Sequence, residues 1–376
     1  MKGLFVPFFY ANPYQSELKK KLFYEGVFIE SSKHLESLSV LKNIKYYRQF
    51  DFVHIHWTHT FMIDEKQIKT IFKSLKFILN VLFLKILKVK LFWTIHNISN
   101  HENKNTSIEI FFLRILAKYL VDKIIVHSKY IKPDVIKSYK LSPSNFDKVV
   151  VIKHGNYCDF YKNDISKQEA RKLLELDNSD FIYLFFGMIR EYKGIAELIS
   201  IFNKISDNKV KLLIVGKVSL TTGLKDFIEL INASNNKILG AFDYIPNDHV
   251  QYYINAADVM VLPYKNISTS GSLLLAMSFG KAVIIPDFGF VSEYIDSKGI
   301  LTYTPSSLNG LINSMHNIRG LNFSKMGELN KAFVKARYNW DVIAKETSEL
   351  YRSVEKKQTK RKHYYRWQTK IKLSKL

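Results

Sequence analysis

Short apolar runs separated by helical patterns constrain this chain more than any other feature. "GLFVPFF" (3–9), "FVHIHW" (52–57), "VKLFWTIHN" (89–97), "KIIVHS" (123–128) and "KVVVIKHG" (148–155) follow one another, with helical stretches near 14–26, after 57, at 107–120 and at 129–139. The pattern then repeats with "FIYLFFG" (181–187), "KLLIVG" (211–216), "ADVMVLPY" (257–264) and "KAVIIPD" (281–287). Between these lie "GIAELISIFNKI", "HVQYYINA", "SLLLAMSF" and "SSLNGLINSMHNI". Apolar runs without polar alternation read as parallel strands covered on both faces, with the helices as crossovers. The expected fold class is therefore α/β: two doubly wound domains in succession, for which 376 residues are long enough. The strand pattern lapses at "NYCDFYKNDISKQEA" (156–170), where the two join. Ligands of such sheets bind beyond the carboxyl ends of the strands, so the cleft between the domains is the expected site.

The strand ends of the second half carry one kind of chemistry. "FFGMIREYKGIAELI" (185–199) passes from strand to helix through Gly187, Arg190, Lys193 and Gly194. Backbone N–H groups, a helix N-terminus and two cations gathered there suit an anion, with both cations expected to stand exposed at the strand end. "NISTSGSLLLAMSFG" (266–280) sets Ser268, Thr269, Ser270, Gly271 and Ser272 before a helix. Helix capping would explain one such loop alone; two cradles at neighbouring strand ends match the two contact sets of a diphosphate.

Other chemistries are poorly supported. There is no G-x-S-x-G elbow, no G-x-x-x-x-G-K-[ST] loop, no G-x-G-x-x-G after the first strand and no D-x-D triplet. Cys158 is the sole cysteine, which excludes an intramolecular disulfide and fits a reducing compartment. His54, His56 and His59 lie at or just after one strand, and His54 and His56 share a face. Such a pair invites a metal, but no nearby acidic pattern completes a ligand set, so structural hydrogen bonding is the expectation. His96 ends another strand in "TIHN" and is expected to face the cleft, where it could hydrogen-bond a sugar or carry a proton.

The set "FFGMIREYKGIAELI", "KLLIVGK", "FDYIPNDHVQYYINAADVMVLPY", "SLLLAMSFGKAVIIPDFGFVSEYI" and "RYNWDVIAKETSELYRSV" resembles the GT-B glycosyltransferases of the large family 4 group. The likeness is dense in the second half and looser in the first, through "NPYQSELKKKLFYEGV", "FVHIHW", "WTIHN" and "VVVIKHGNY". It implies residues 1–157 as an acceptor-binding domain, 158–337 as a nucleotide-sugar-binding domain, 338–355 as a helix crossing back to the first domain, and 356–376 as a basic tail. The implied activity is metal-independent transfer of a hexose-type sugar from a nucleotide diphosphate sugar to a saccharide acceptor. No cofactor or metal is implied. By the resemblance Arg190 and Lys193 grip the donor diphosphate and Gly187 admits the donor close to the backbone. Tyr244 and Ile245 contact the nucleobase, Thr269, Ser270, Gly271 and Ser272 face the phosphates, and His96 lies near the transferred sugar. Asp258 matches a structural residue, and the segment around Trp340 matches the crossing helix. The family usually has two glutamates where a gapless match places Ile267 and Leu275, neither of which can bind a ribose hydroxyl. The anomeric outcome is left open.

Net charge is +22, of which the tail 356–376 supplies nine Lys/Arg and no acid, leaving +13 for the rest. Nucleic acid, an anionic membrane surface and phosphorylated small molecules are all admissible partners of such a chain. The paired cradles favour the last, and no nucleic acid is expected. A basic nucleic-acid-binding protein, or another GT-B enzyme such as a sugar-nucleotide epimerase or a phosphorylase, is the alternative. No run approaches the length of a spanning helix. Residues 73–90 read as a helix with Lys73, Lys76, Asn80, Lys85 and Lys88 on one half and Phe, Leu and Ile on the other. The apolar half either packs on the core of the first domain or, with the tail, holds the chain peripherally to the cytoplasmic face of a membrane, near a lipid-linked saccharide acceptor.

Overall fold

The structure, a computed structural model, describes residues 1–354 apart from 11, 32–37, 101–103, 220–228, 230, 232–236, 268, 306 and 308. Ser268 and the tail 356–376 lie outside the described residues.

Strands β1 (Lys2–Val6), β2 (Phe28–Ser31), β3 (Phe52–Ile55), β4 (Lys90–Thr94), β5 (Lys123–Val126) and β6 (Val149–Val151) form a six-stranded sheet in the order β2-β1-β3-β4-β5-β6. A second six-stranded sheet holds β7 (Phe181–Phe186), β8 (Val210–Val215), β9 (Ile238–Ala241), β10 (Val259–Val261), β11 (Ala282–Pro286) and β12 (Ile300–Tyr303), in the order β12-β11-β10-β7-β8-β9. Every pairing is parallel. The strands read from the sequence are there. The three that the reading did not find, β2, β9 and β12, are all sheet edges. An edge strand is covered on fewer sides, and each of these carries half-buried or exposed positions in place of a continuous apolar run.

In each sheet the winding reverses beside the first strand: β1 has β2 on one side and β3 on the other, and β7 has β8 on one side and β10 on the other. Such switch points open a crevice at the carboxyl ends of the strands. The loops after β7 and β10 therefore flank one crevice.

The final helix, Trp340–Ser353, returns to the first sheet. Trp340, Ile343, Ala344 and Tyr351 share a core with Phe5, Phe52, Phe92 and Leu18. Asn339 caps this helix through Asp341 N, and Asp341 pairs with Lys21 Nζ at 2.7 Å. In the second half the buried Asp258 carboxylate accepts hydrogen bonds from Ile182 N (2.7 Å) and Arg171 Nη2 (2.9 Å), with Lys167 as a further partner. It ties the helix Lys167–Leu173 to the start of β7, a structural task.

One expectation about faces is corrected. The lysine-rich helix runs Gln67–Ile86, and its buried face is Thr70, Ser74, Phe77, Asn80, Val81 and Leu84. Asn80, read as part of the polar half, points inward: its Oδ1 accepts from Val40 N at 2.7 Å and its Nδ2 donates to Lys76 O at 2.7 Å. Satisfied amides let a polar residue sit inside, and much of the helix's apolar surface is left outside.

Candidate functional site

Gly187 directly follows β7 at φ +135° and Gly216 directly follows β8 at φ +140°, conformations that a side chain strains. A β-carbon at Gly216 would come within 2.2 Å of Gly187 O, so the two strand ends approach as only glycine permits. A β-carbon at Gly187 would stand 3.0 Å from Ser272 Oγ and 3.2 Å from Lys193 Nζ. Three residues singled out in the sequence thus converge on one point at the switch crevice. Gly194, at φ +69°, turns the chain into the helix Ile195–Phe202, and a β-carbon there would meet Pro263 O at 2.0 Å.

Lys193 departs from expectation in one respect. It is buried, 8% exposed, with Nζ 5.7 Å from the ring centroids of both Phe185 and Tyr264. Burial, and then the neighbouring Arg190 charge, bring its pKa down to about 8. The rings that close over it come from β7 and from the loop after β10, far from it in sequence. A desolvated cation whose nearest charge is another cation is a group prepared for an anion.

Arg190 is half-buried and, besides neighbouring Lys193, borders a second space. Its side chain hydrogen-bonds Tyr192, while its buried Nε has no partner among the described residues. It lines a cleft of about 310 Å³ together with His59, Thr60, Asp64, Glu65, Asn100 and Lys104, all from the first half of the chain. The loop that carries Asn100 is held by Glu109: Oε2 of this buried, burial-raised carboxyl accepts from Asn100 N (2.9 Å) and Nδ2 (2.7 Å).

The second cradle opens the helix Gly271–Ser278. Ser270 is its N-cap; Oγ accepts from Leu273 N at 3.0 Å and lies 2.8 Å from Tyr264 OH. The Ser270 hydroxyl is therefore used for capping, and Ser272, hydrogen-bonded to Tyr264, is the hydroxyl beside Gly187. Thr269 is half-buried, and Gly271, exposed, lies against Tyr157, whose OH would be 3.4 Å from a β-carbon there. Tyr244, 58% exposed, and Ile245, packed against the core, sit beyond β9 at the same end of the sheet. Leu275 is buried in that core and Ile267 packs on it, so these two positions present hydrocarbon.

His96 follows β4. Its ring stacks on Trp57 (centroids 4.2 Å apart, 11° between planes), and Nε2 lies 3.3 Å from His56 Nδ1. Burial, with the surrounding histidines, holds its pKa well below the usual range, so the imidazole is neutral. It lines a small hollow with Trp57, Thr94 and Asn97, next to the cleft that Arg190 faces; His59 lines both. The structure brings Gly187, Lys193 and Ser272 together, turns Arg190 toward the first half, and sets His96 in the adjoining hollow.

Buried His54, His56 and His127 and half-buried His96 and His154 form a group in which Tyr14 has four of the rings, those of His56, His96, His127 and His154, within 4.8–5.9 Å. Both nitrogens of His54 are engaged, with Tyr351 OH at 2.6 Å and Thr94 Oγ1 at 2.7 Å, which leaves no lone pair for a metal. Sequence reading missed Tyr264, Tyr157 and the Asn100–Glu109 pair. Tyr264 was within reach, because it follows "VLP" at a strand end.

Comparison with known proteins bears on the fold and on the second half of the chain. The family described as glycosyl transferases group 1 matches residues 166–340. The GDP-mannose:glycolipid 4-beta-D-mannosyltransferase of Xanthomonas campestris pv. campestris is 25% identical over 239 residues, 63% of this chain and 62% of that protein. The chain thus spans less than two thirds of that relative's length. In three dimensions, Anabaena HepE in complex with UDP-glucose superposes with a TM-score of 0.73 at 16% identity, covering 94% of this chain and 100% of that one. WaaG, a glycosyltransferase involved in lipopolysaccharide biosynthesis, gives 0.66 at 12% identity, covering 93% and 99%. The fold is the two-sheet α/β arrangement of these GT-B proteins.

Proposed function

We propose that this chain, similar to group 1 glycosyl transferases over residues 166–340, is a glycosyltransferase that moves a hexose-type sugar from a nucleotide diphosphate sugar to a lipid-linked saccharide. The observation that carries the reading is Lys193, a buried cation beside Gly187 and Ser272 at the switch crevice. In this reading residues 158–337 bind the donor. Lys193 and Arg190 hold the diphosphate, aided by Ser272 and the amides from Thr269 to Gly271. Gly187 leaves room for it, Tyr244 and Ile245 meet the base, and His96 meets the transferred sugar.

The chemistry needs little else. As the bond from the sugar to the diphosphate breaks, negative charge grows on the leaving oxygen, and fixed cations and amides stabilise it without a metal. Residues 1–157 hold the acceptor across the cleft that Arg190 faces. A glycolipid acceptor in the mannosyltransferase relative supports the lipid-linked reading. No helix among the described residues is long and apolar enough to cross a membrane. We place the protein peripherally on the inner face of the cell membrane, in surface polysaccharide synthesis, with its excess of positive charge toward the anionic lipid.

The test is a thermal-shift panel of nucleotide diphosphate sugars, followed by transfer assays with the donor that raises the melting point. One donor should stabilise the wild type and fail to stabilise Lys193→Ala. A panel with no stabilising donor, or equal stabilisation of the variant, would overturn the reading.

A further inference from the structure

The helix Gln67–Ile86 is apolar on the side that faces away from the protein. Ile68, Phe72, Leu75, Leu79, Leu82 and Ile86 are 39% to 68% exposed. Their spacing of four and three residues by turns draws one line along the whole helix, about 30 Å at 1.5 Å per residue. At 100° per residue this line is centred opposite the buried face of Thr70, Ser74, Phe77, Val81 and Leu84. A surface helix ordinarily turns charge outward in that position. Phe111 and Tyr119, on the elements packed beside this helix, are exposed as well.

Charge decides what the stripe meets. The helix carries Lys69, Lys73, Lys76 and Lys85 and no acidic residue, with exposed Lys66 before it and Lys88 after it. Lys73 pairs with Asp64 at 2.8 Å and Lys85 donates to Tyr119 O at 2.6 Å. Lys69 and Lys76 border the stripe on one side, 80–100° from its centre line by helical geometry. A second copy docked stripe to stripe would set lysine against lysine, with no glutamate to alternate with it as paired helices need. An anionic bilayer satisfies both components, since acyl chains accept the apolar line and headgroups accept the lysines.

We propose that the outward face of Gln67–Ile86 is the surface by which this protein docks on an anionic lipid bilayer. The proposal rests on the peripheral location given above and names the surface that performs it. It also sets an orientation. The segment just before this helix, Ile63 to Glu65, lines the cleft that Arg190 faces, so a docked bilayer stands beside the acceptor wall of that cleft.

The test uses the full chain and flotation with vesicles of equimolar phosphatidylcholine and phosphatidylglycerol, with pure phosphatidylcholine as control. Two variants are compared with the wild type: the triple Phe72→Ser, Leu79→Ser, Ile86→Ser and the pair Lys69→Gln, Lys76→Gln. All five side chains are exposed, and unchanged melting points will show that the folds are intact. The wild type should float with the anionic vesicles. The triple variant should lose about tenfold or more in bound fraction, and the lysine pair several-fold at low salt only. A triple variant that floats as well as the wild type would sink the assignment of the surface and leave the peripheral location standing. A wild type that binds neither vesicle would sink both. A wild-type dimer that the triple variant dissociates, without flotation, would assign the stripe to a second copy instead.

Discussion

Lys193 Nζ lies 3.2 Å from the place a β-carbon would take at Gly187. The space over Gly187 is thus left open by the absence of a side chain, and a cation and the Ser272 hydroxyl border it. Gly187→Ala would fill that space and strain a backbone held at φ +135°, at a cost of about 1–3 kcal/mol. The neighbouring groups are ends of flexible side chains that can move aside, so the fold should survive and donor binding should not. We expect the Kd of the nucleotide sugar to rise about tenfold or more by titration calorimetry. Unchanged affinity would mean that the donor does not approach this backbone.

A pKa near 8 gives Lys193 a visible pH signature. The protonated form is the one that holds an anion, and it is nearly complete below pH 7. As pH rises through 8 the empty site loses its proton, so binding must restore it, and affinity falls by up to about tenfold per unit. A nucleotide sugar suits the test because its diphosphate remains ionised across this range. Titrations from pH 6.5 to 9.5 should show flat affinity at first and weakening above 8. Lys193→Gln should bind weakly with no such inflection. A wild-type curve that is flat to pH 9.5 would remove Lys193 from the diphosphate.

How much of this was legible differs from element to element. The central strands declare themselves because a strand paired on both sides and covered on both faces must be apolar throughout, as in Val259–Val261. The edges β2, β9 and β12 are not under that demand, and Ile300–Tyr303 is half-buried along its whole length. The meeting of Gly187 and Lys193 at a strand end was legible because glycine and cations placed there follow from local backbone geometry. Lys193's burial was not, since it depends on Phe185 and Tyr264 closing from separate strand ends. Alternation showed that His54 and His56 share a face, and their rings do stack at 4.3 Å. That Tyr14 would stand at the centre of the wider group needed the crossing of α and β layers, which no local pattern records.

Metal removal should leave transfer unaffected. In the reading proposed above, Arg190, Lys193 and the helix amides supply the positive end of the site and do the work that a bound ion would otherwise do. Initial rates in EDTA should match those without it. Loss of activity in EDTA that magnesium or manganese restores would overturn the metal-free mechanism.

The histidine group should make the first half sensitive to acid. Burial lowers His54 to about 3, His154 to about 3 and His127 to about 4, against 6.5 in the unfolded chain. The unfolded state therefore takes up protons first as pH falls below 6.5, and stability present above that value is lost on the way down to about 4. By pH 5 each independently titrating histidine removes about 2 kcal/mol. The depressed carboxylate Asp177, at about 2, contributes only below pH 4, and Glu109, raised by burial, regains stability as pH falls and so acts in the opposite sense; a net loss through the window from 6.5 to 4.5 therefore comes from the histidines. Urea midpoints should fall steeply through it. A midpoint unchanged between pH 7 and pH 5 would show that these rings protonate without cost.

Trp340 should hold the two halves to one unfolding transition. Its Nε1 donates to Asn156 O at 2.7 Å, and its ring lies so close to Gly155 that a β-carbon there would approach within 2.1 Å. Asn156 in turn donates from N and Nδ2 to Tyr338 O, both at 2.9 Å, so the two chain segments that pass between the sheets are fastened to each other. The same tryptophan is part of the core formed with Phe5, Phe52 and Phe92, which ends on the helix Trp340–Ser353. Trp340→Phe keeps most of the ring and removes the donor, leaving the Asn156 carbonyl without it, at about 1–3 kcal/mol. Trp340→Ala also empties the packing against Gly155, and should cost about 3–5 kcal/mol. Because that loss falls on the first-half core alone, urea unfolding of Trp340→Ala, followed by circular dichroism and tryptophan fluorescence, should split into two transitions, with the first half melting earlier. A single transition shifted by less than about 0.5 kcal/mol in both variants, the ordinary range for an inert surface change, would show that the fastening carries no load.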